Sequence, residues 1–350
     1  MPRDTTNNRV RERRKAVGLS QAELAERAGI SRTAVTAIEG ERLVPSVAAA
    51  LAIAETLGGT VEELFGNPPT IANRIEWAVP TQSPCRYWHV EVGGCRWLYP
   101  VEATHLGELP HDGVWNGKLR REEETTPAEQ VLIVATCDPA VGLLAGEYAR
   151  QTSFRMLPLI RSSRDALRLM QAGKIHAAGV HLSSSHLAGG NASIIRQEFG
   201  TGHRLLRVGV WQEGVAFATH LKLRTAQAAV QAGLQWVGRE EGSAARECLD
   251  ELLAGRLEPR HTAPDHRAVA LAIQCGWADA GVCLRLAGEE AGLGFLQIRR
   301  EAYDLCFPEA FESDRRIQAL IQVVQSARYR RLLNALSGYE SRTTGDLSDV

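Results

Sequence analysis

The chain has 350 residues, 44% of them hydrophobic, with a formal net charge of -1. That length and apolar content support a substantial core and two or three domains. Residues 1–15 lack the apolar centre of a secretion signal, and no uncharged apolar run approaches the roughly 20 residues needed to cross a membrane, so a cytoplasmic protein without a membrane partner is expected. Seven scattered cysteines fit reduced thiols in that compartment better than a disulfide framework. The balanced total hides a local basic patch of Arg9, Arg11, Arg13, Arg14 and Lys15, which crowds the first helix.

In chain order, residues 9–65 read as five short helices: Val10 to Ala16, Ser20 to Ala28, Ser31 to Glu39, Ser46 to Leu57 and Val61 to Phe65. Ser20 and Glu23 form a capping box, Ser31 can cap the next helix, and Gly29 permits the tight turn between them. The second and third helices match the device that reads base edges, a positioning helix followed by a recognition helix that enters the major groove. Leu24, Ala25, Ile30, Val35 and Ile38 would pack the pair, leaving Arg32, Thr33 and Thr36 on the opposite face as hydrogen-bonding groups for bases or phosphates.

This stretch resembles the Cro and lambda-repressor (XRE) type of helix-turn-helix, through R11-x-x-R14, G18-L-S-Q21, L24-A25, G29-I-S31, I38-E39-G40 and Pro45. The resemblance implies backbone contacts to DNA from Gln21 and Ser31, groove contacts from Arg32, Thr33 and Thr36, and an internal ion pair between Arg14 and Glu39. Arg42 completes the candidate DNA-binding set. One copy reads one half-site, so a homodimer on a roughly palindromic double-stranded operator is expected.

Residues 66–70 (G-N-P-P-T) break the helical pattern. From there to residue 128, aromatic and β-branched runs (Cys85 to Val92, Cys95 to Tyr99) flank a Gly-Gly turn and read as a small β-rich connector. From Val131 onward strands and helices alternate: Val131 to Ala135, Ala140 to Arg150, Asp165 to Ala172, Ala177 to His181, and so on to helices near Ile317 to Val324 and Tyr329 to Leu336. Such alternation predicts a mostly parallel sheet covered by helices. Several strands lead through small or hydroxyl residues into a helix, a construction whose free N–H groups and helix dipole suit an anion. Ligands of open α/β sheets sit at these strand ends.

Residues 131–340 resemble the type-two periplasmic-binding-protein fold, in particular the cytoplasmic molybdate-binding-like domain found fused to helix-turn-helix modules. The matching stretches are C137-D-P-A-V-G-L-L144, G173-K-I-H-A-A-G-V-H-L182, R239-E-E-G-S-A-A-R246, A278-D-A-G-V282, Y303-D-L305 and L336-S-G-Y-E340. The resemblance implies that a tetrahedral oxyanion is held by neutral donors: Thr136 or Cys137, Ser162 or Ser163, Ser243 with the Gly242 amide, and Tyr303. Asp138 departs from that pattern. Either it caps its own helix, or the ligand carries a cationic or hydroxyl group. Arg239 and Arg246 either restore the positive field or pair with Glu240, Glu241 or Glu247.

The expected architecture is therefore multidomain: an all-α helix-turn-helix domain (1–66), a linker and β-rich connector (67–128), an α/β two-lobed binding-protein-like domain (129–340) and a flexible tail (341–350). Cys85, His89, Cys95, His105 and His111 lack the paired spacing of a zinc knuckle, and His176, His181 and His186 recur at a spacing that alternates faces on a strand, so no metal site is assigned. No nucleophile elbow, phosphate-loop lysine or complete dinucleotide fingerprint is present, so an enzyme is not expected. The expectation is a ligand-responsive transcriptional regulator that needs no cofactor and senses molybdate or tungstate. The alternative is an enzyme or carrier in molybdenum-cofactor metabolism with an autoregulatory DNA-binding module.

Overall fold

A computed structural model describes residues 9–40, 42–65, 75–102, 109–122, 124–182, 190–255 and 258–350. The chain divides into two compact units, one of residues 1–76 with 94–96 and the other of residues 77–93 with 97–350.

In the first unit, α1 (Val10–Ala16), α2 (Gln21–Arg27), α3 (Arg32–Glu39), α4 (Val47–Leu57) and α5 (Val61–Phe65) follow the helices read from the sequence. The serines expected to open α2, α3 and α4 stand one residue outside. Ser20, Ser31 and Ser46 keep extended backbone (ψ 162, 149 and 160°), and each hydroxyl accepts the N–H three residues on, as a cap must. Val10, Leu24, Val35, Ile38, Ile53 and Leu57 form the core of this unit.

The strand β1 (Ile75–Trp77) lies at the division between the units. β2 (Cys85–Val92), β3 (Cys95–Pro100), β4 (Gly113–Trp115) and β5 (Leu119–Arg121) follow in the spatial order β3-β2-β4-β5. This sheet is not a separate connector, because charged groups fasten it to the domain that follows. Arg155 pairs with Asp112 at 2.7 Å and Arg161 bonds Glu102 at 2.8 Å. Arg316 donates to the Glu91 carbonyl at 2.8 Å and its carboxylate at 2.9 Å, and Lys174 Nζ reaches the Ala78 carbonyl at 2.6 Å.

The remaining chain forms one ten-stranded sheet bent into two lobes. The first lobe holds β6 (Val131–Thr136), β7 (Arg155–Ile160) and β8 (Ala177–Val180), covered by α6 (Val141–Gln151), α7 (Ser163–Gln171) and α8 (Gly190–Phe199). Every residue of β6 is buried, as expected of a parallel strand covered on both faces. β9 (His203–Phe217) leads into the second lobe, which holds α9 (Ala226–Gln231), β10 (Trp236–Arg239), α10 (Ala244–Leu253), β11 (His261–Ala263), α11 (His266–Gln274), β12 (Ala280–Leu284) and α12 (Arg285–Glu290). β13 (Gly294–Pro308) returns to the first lobe, and α13 (Arg315–Gln325) and α14 (Ala327–Asn334) complete it.

Within each lobe the pairing is parallel, as the alternation predicted. β9 and β13 are the exception. They run antiparallel along their whole length, from Phe217↔Gly294 to His203↔Pro308, and pass from lobe to lobe, with register shifts at Gln297/Arg299 and Tyr303/Asp304. The last ten residues are not a loose tail. After β14 (Tyr339–Glu340), β15 (Leu347–Asp349) pairs with β9, and Val350 is buried. Their pairing partner lies more than a hundred residues upstream, so local composition does not reveal it.

Candidate functional site

In the N-terminal unit, Ser31, Arg32, Thr33, Thr36 and Arg42 are exposed and Gln21 is half-buried, while Val35 and Ile38 of the same helix point into the core. The structure thus places the six candidate DNA contacts outside the packed helix pair. Glu39 fixes that pair from within. It accepts from Arg14 Nε at 2.5 Å and Nη2 at 3.1 Å, and from Gln21 Nε2 at 2.8 Å. Thr36 Oγ1 donates to Gln21 Oε1 at 3.3 Å, so the two side chains are preset relative to each other.

The second candidate site lies between the lobes, where the ends of β6, β7, β8 and β10 meet the hinge strands β9 and β13. Of the nine expected ligand residues, Thr136, Cys137, Asp138, Ser162, Ser163, Arg239, Ser243 and Tyr303 are buried; Gly242 is exposed, with φ +78°. Their hydroxyls already have protein partners. Thr136 Oγ1 bonds the Tyr303 hydroxyl and accepts from Asp138 N. Ser162 and Ser243 cap α7 and α10 and donate to Asp165 at 3.0 Å and to the Glu240 carbonyl at 2.8 Å. Ser163 Oγ accepts from His181 N at 3.2 Å. Arg239 pairs with Glu240 at 2.7 Å and Arg246 with Asp250 at 2.8 Å.

The lobes are closed on each other. Arg164, at the start of α7, crosses to Glu247 at 2.6 Å and to the Gly242 carbonyl at 3.2 Å, and Arg267 of α11 reaches the Pro139 carbonyl at 3.3 Å. Asp138 Oδ1 accepts from Ala140 N at 2.8 Å, a local turn just ahead of α6 and not a cap of the helix, whose N-cap Ala140 has no side-chain cap, and also from the Tyr339 hydroxyl at 2.5 Å. Burial pushes the Asp138 carboxyl up to about 6, against the opposing hydrogen bond from Tyr339.

Sequence reasoning named Cys137 for this cleft but missed the partners gathered around it. His181 Nε2 stands 3.0 Å from Cys137 Sγ, and its Nδ1 stands 2.9 Å from Glu301 Oε2. Burial alone would lower the His181 imidazole, but the Cys137 sulfur and the Glu301 carboxylate outweigh it and raise it well above the usual range. Trp211 meets the His181 ring edge-on at 4.9 Å and stacks on Tyr303 at 4.4 Å. Arg299 bridges Glu213 at 2.7 Å and Glu301 at 2.9 Å. Burial, reinforced by Glu301, raises the Glu213 carboxyl. His266, the first residue of α11, is fully buried with its ring 5.9 Å from that of His181.

Ligand atoms of Cys137, His181 and His266 lie within 4.8 Å of one another, as do those of His181, Glu213 and Glu301. Cys85, His89, Cys95 and His111 form no such cluster among the described residues. His105 and His186 lie outside the described residues.

Residues 145–325, more than half of the chain, match the family model described as a PBP superfamily domain. The chain belongs to the PBP superfamily. Residues 10–64 match a helix-turn-helix family model, so this PBP-superfamily chain carries an N-terminal helix-turn-helix module. That module is 46% identical over 57 residues to an uncharacterized HTH-type transcriptional regulator of Methanothermobacter thermautotrophicus, covering 16% of this chain and 83% of the relative. The uncharacterized protein YvgK of Bacillus subtilis is 30% identical over 122 residues, which are 33% of this chain, and the chain spans 39% of that relative's length.

Similar solved structures include PhnD1 of Prochlorococcus marinus in complex with methylphosphonate, at 11% identity and TM-score 0.43 over 63% of this chain and 93% of that one. The arginine-, lysine-, histidine-binding protein ArtJ of Geobacillus stearothermophilus is similar at 12% identity and TM-score 0.44, over 61% and 97%. No described helix of this PBP-superfamily chain is long and apolar enough to cross a membrane.

Proposed function

We propose that this chain is a ligand-responsive DNA-binding transcriptional regulator whose effector binds between the two lobes. The observation that carries the reading is a closed cleft, in which Cys137 and His181 of one lobe face His266 of the other, joined to a helix pair with an exposed recognition face. The effector favours the closed form, and differential affinity for open and closed states changes operator binding. The regulator acts as a homodimer, because one helix-turn-helix reads one half-site.

An oxyanion, with molybdate or tungstate first, is the proposed effector class. The capped starts of α7 and α10 approach each other through the Arg164–Gly242 contact. Converging helix N-termini suit an anion. The test measures thermal shift and operator binding with molybdate, tungstate, sulfate and phosphate. A specific effector at a hundredfold excess over Kd raises stability by about 2.7 kcal/mol and changes operator affinity. If none of the four does either, the oxyanion reading falls.

A second reading, an enzyme or carrier in molybdenum-cofactor metabolism, is favoured by one observation. The line Cys137–His181–Glu301, with links of 3.0 and 2.9 Å, has the geometry of a nucleophile, its base and an orienting acid. Turnover of a molybdopterin precursor that disappears on Cys137→Ser would support the enzyme, and stoichiometric binding without turnover the carrier. Absence of any binding of the precursor rejects both.

A further inference from the structure

We infer that Cys137, His181 and His266 form a site for a borderline-soft divalent transition-metal ion, zinc being the best match, that bridges the two lobes. The inference rests on the reading of the cleft as an effector site and gives that site a metal. A thiolate and two imidazoles are the donor set such ions select, and the three ligand atoms lie within 4.8 Å of one another. Two come from the first lobe, after β6 and β8, and the third opens α11 in the second. A bound ion therefore holds the lobes together.

The surroundings of His181 are those of a metal ligand. Metal-bound histidines donate their second ring N–H to a carboxylate, which fixes the tautomer and aims the other nitrogen. Here Glu301 takes Nδ1 at 2.9 Å, and Nε2 faces the Cys137 sulfur at 3.0 Å. Glu301 is itself held by Arg299 at 2.9 Å and by Trp211 Nε1 at 3.3 Å. Bond lengths of about 2.3 Å to sulfur and about 2.0 Å to nitrogen in a tetrahedron separate the two donors by about 3.5 Å. Opening of the pair by about half an ångström is thus enough, and the metal takes the place of the proton shared between sulfur and ring, which is released.

The neighbouring trio of His181, Glu213 and Glu301 is not the site. Arg299 already bridges both carboxylates, so an ion there would have to displace a guanidinium. Nor are the other buried cysteines equivalent. Cys248, Cys283 and Cys306 sit in apolar clusters, and burial raises all three thiols, Cys283 and Cys306 to about 12. Three protein ligands leave a fourth position, as in open metal sites.

Cobalt(II) is the probe, titrated into the reduced full-length protein. One ion per chain should give a sulfur-to-cobalt charge-transfer band together with tetrahedral visible bands, both erased by zinc. Cys137→Ser should abolish the charge-transfer band. His266→Gln should weaken cobalt binding at least tenfold, while Cys275→Ser, at an exposed cysteine, leaves the spectrum unchanged. Circular dichroism and metal-free melting of each variant establish that it is folded, and His181→Gln serves if His266→Gln is not. Absence of the charge-transfer band, its persistence in Cys137→Ser, or unchanged affinity in folded His266→Gln overturns the proposal. Operator binding that responds to an oxyanion in protein showing no cobalt spectrum overturns the metal site and leaves the regulator. A cobalt spectrum with operator binding indifferent to every ligand does the reverse.

Discussion

Asp138→Asn should stabilise the protein at neutral pH and not in acid. The carboxyl is fully buried, and burial raises it from 3.8 to about 6, so ionisation costs more in the folded chain than in the unfolded one. Between those two values the folded state holds a proton that the unfolded state has lost, and stability falls as pH rises. At about 1.4 kcal/mol per pH unit, that interval amounts to about 3 kcal/mol by pH 7. Asparagine keeps an oxygen for the Tyr339 hydroxyl and the Ala140 N–H without the charge. Urea denaturation of both proteins at pH 4, 6 and 8 isolates this contribution, because other titrating groups cancel in the difference. A gain growing to about 2–3 kcal/mol at pH 8 is expected. A pH-independent difference, or a variant less stable at pH 8, would refute the reasoning.

Ser243→Ala removes the α10 cap and a bond to the Glu240 carbonyl. It should cost about 1 kcal/mol in ligand-free urea denaturation, weaken effector binding and leave ligand-free DNA affinity unchanged; unaltered effector affinity would remove Ser243 from the site. Glu39→Ala strands the buried Arg14 guanidinium. It should destabilise the helical unit by about 3 kcal/mol, seen as faster amide exchange in α1 and α3, with slow exchange in both counting against the ion pair. Arg32→Ala, at an exposed position on α3, should weaken operator binding by about 1–3 kcal/mol without altering the thermal shift from effector. Unchanged DNA affinity would exclude Arg32 from the interface.

Much of the fold was legible because its signals are local. The bounds of α1 to α5 follow from capping serines and apolar spacing, and β6, β7 and β8 from short apolar runs before a helix. The partners gathered around Cys137 in the cleft were not legible, since their chemistry depends on residues far apart in sequence. Glu301 stands in R299-R-E-A-Y303, which reads as an exposed charged stretch, and its burial makes sense only once Arg299, Trp211 and His181 surround it. His266 follows a capping aspartate and looks like a surface residue opening a helix. The one available signal for His181 was its place at the end of a strand, where such folds put their ligands. Ser162 and Ser243, expected as ligand donors, are legible as caps for the same reason that they resemble donors: both roles use free N–H groups at helix starts.

The fastening of β2 to β5 onto the first lobe divides the labour between the lobes. Arg155, Arg161 and Arg316 make that sheet and the first lobe one stator, whereas the second lobe is attached to it through the two hinge strands and the contacts across the cleft. On the proposed reading the second lobe is the rotor, and it carries Arg239, Ser243 and His266. Exchange of those residues would then retune the effector while leaving the stator unchanged.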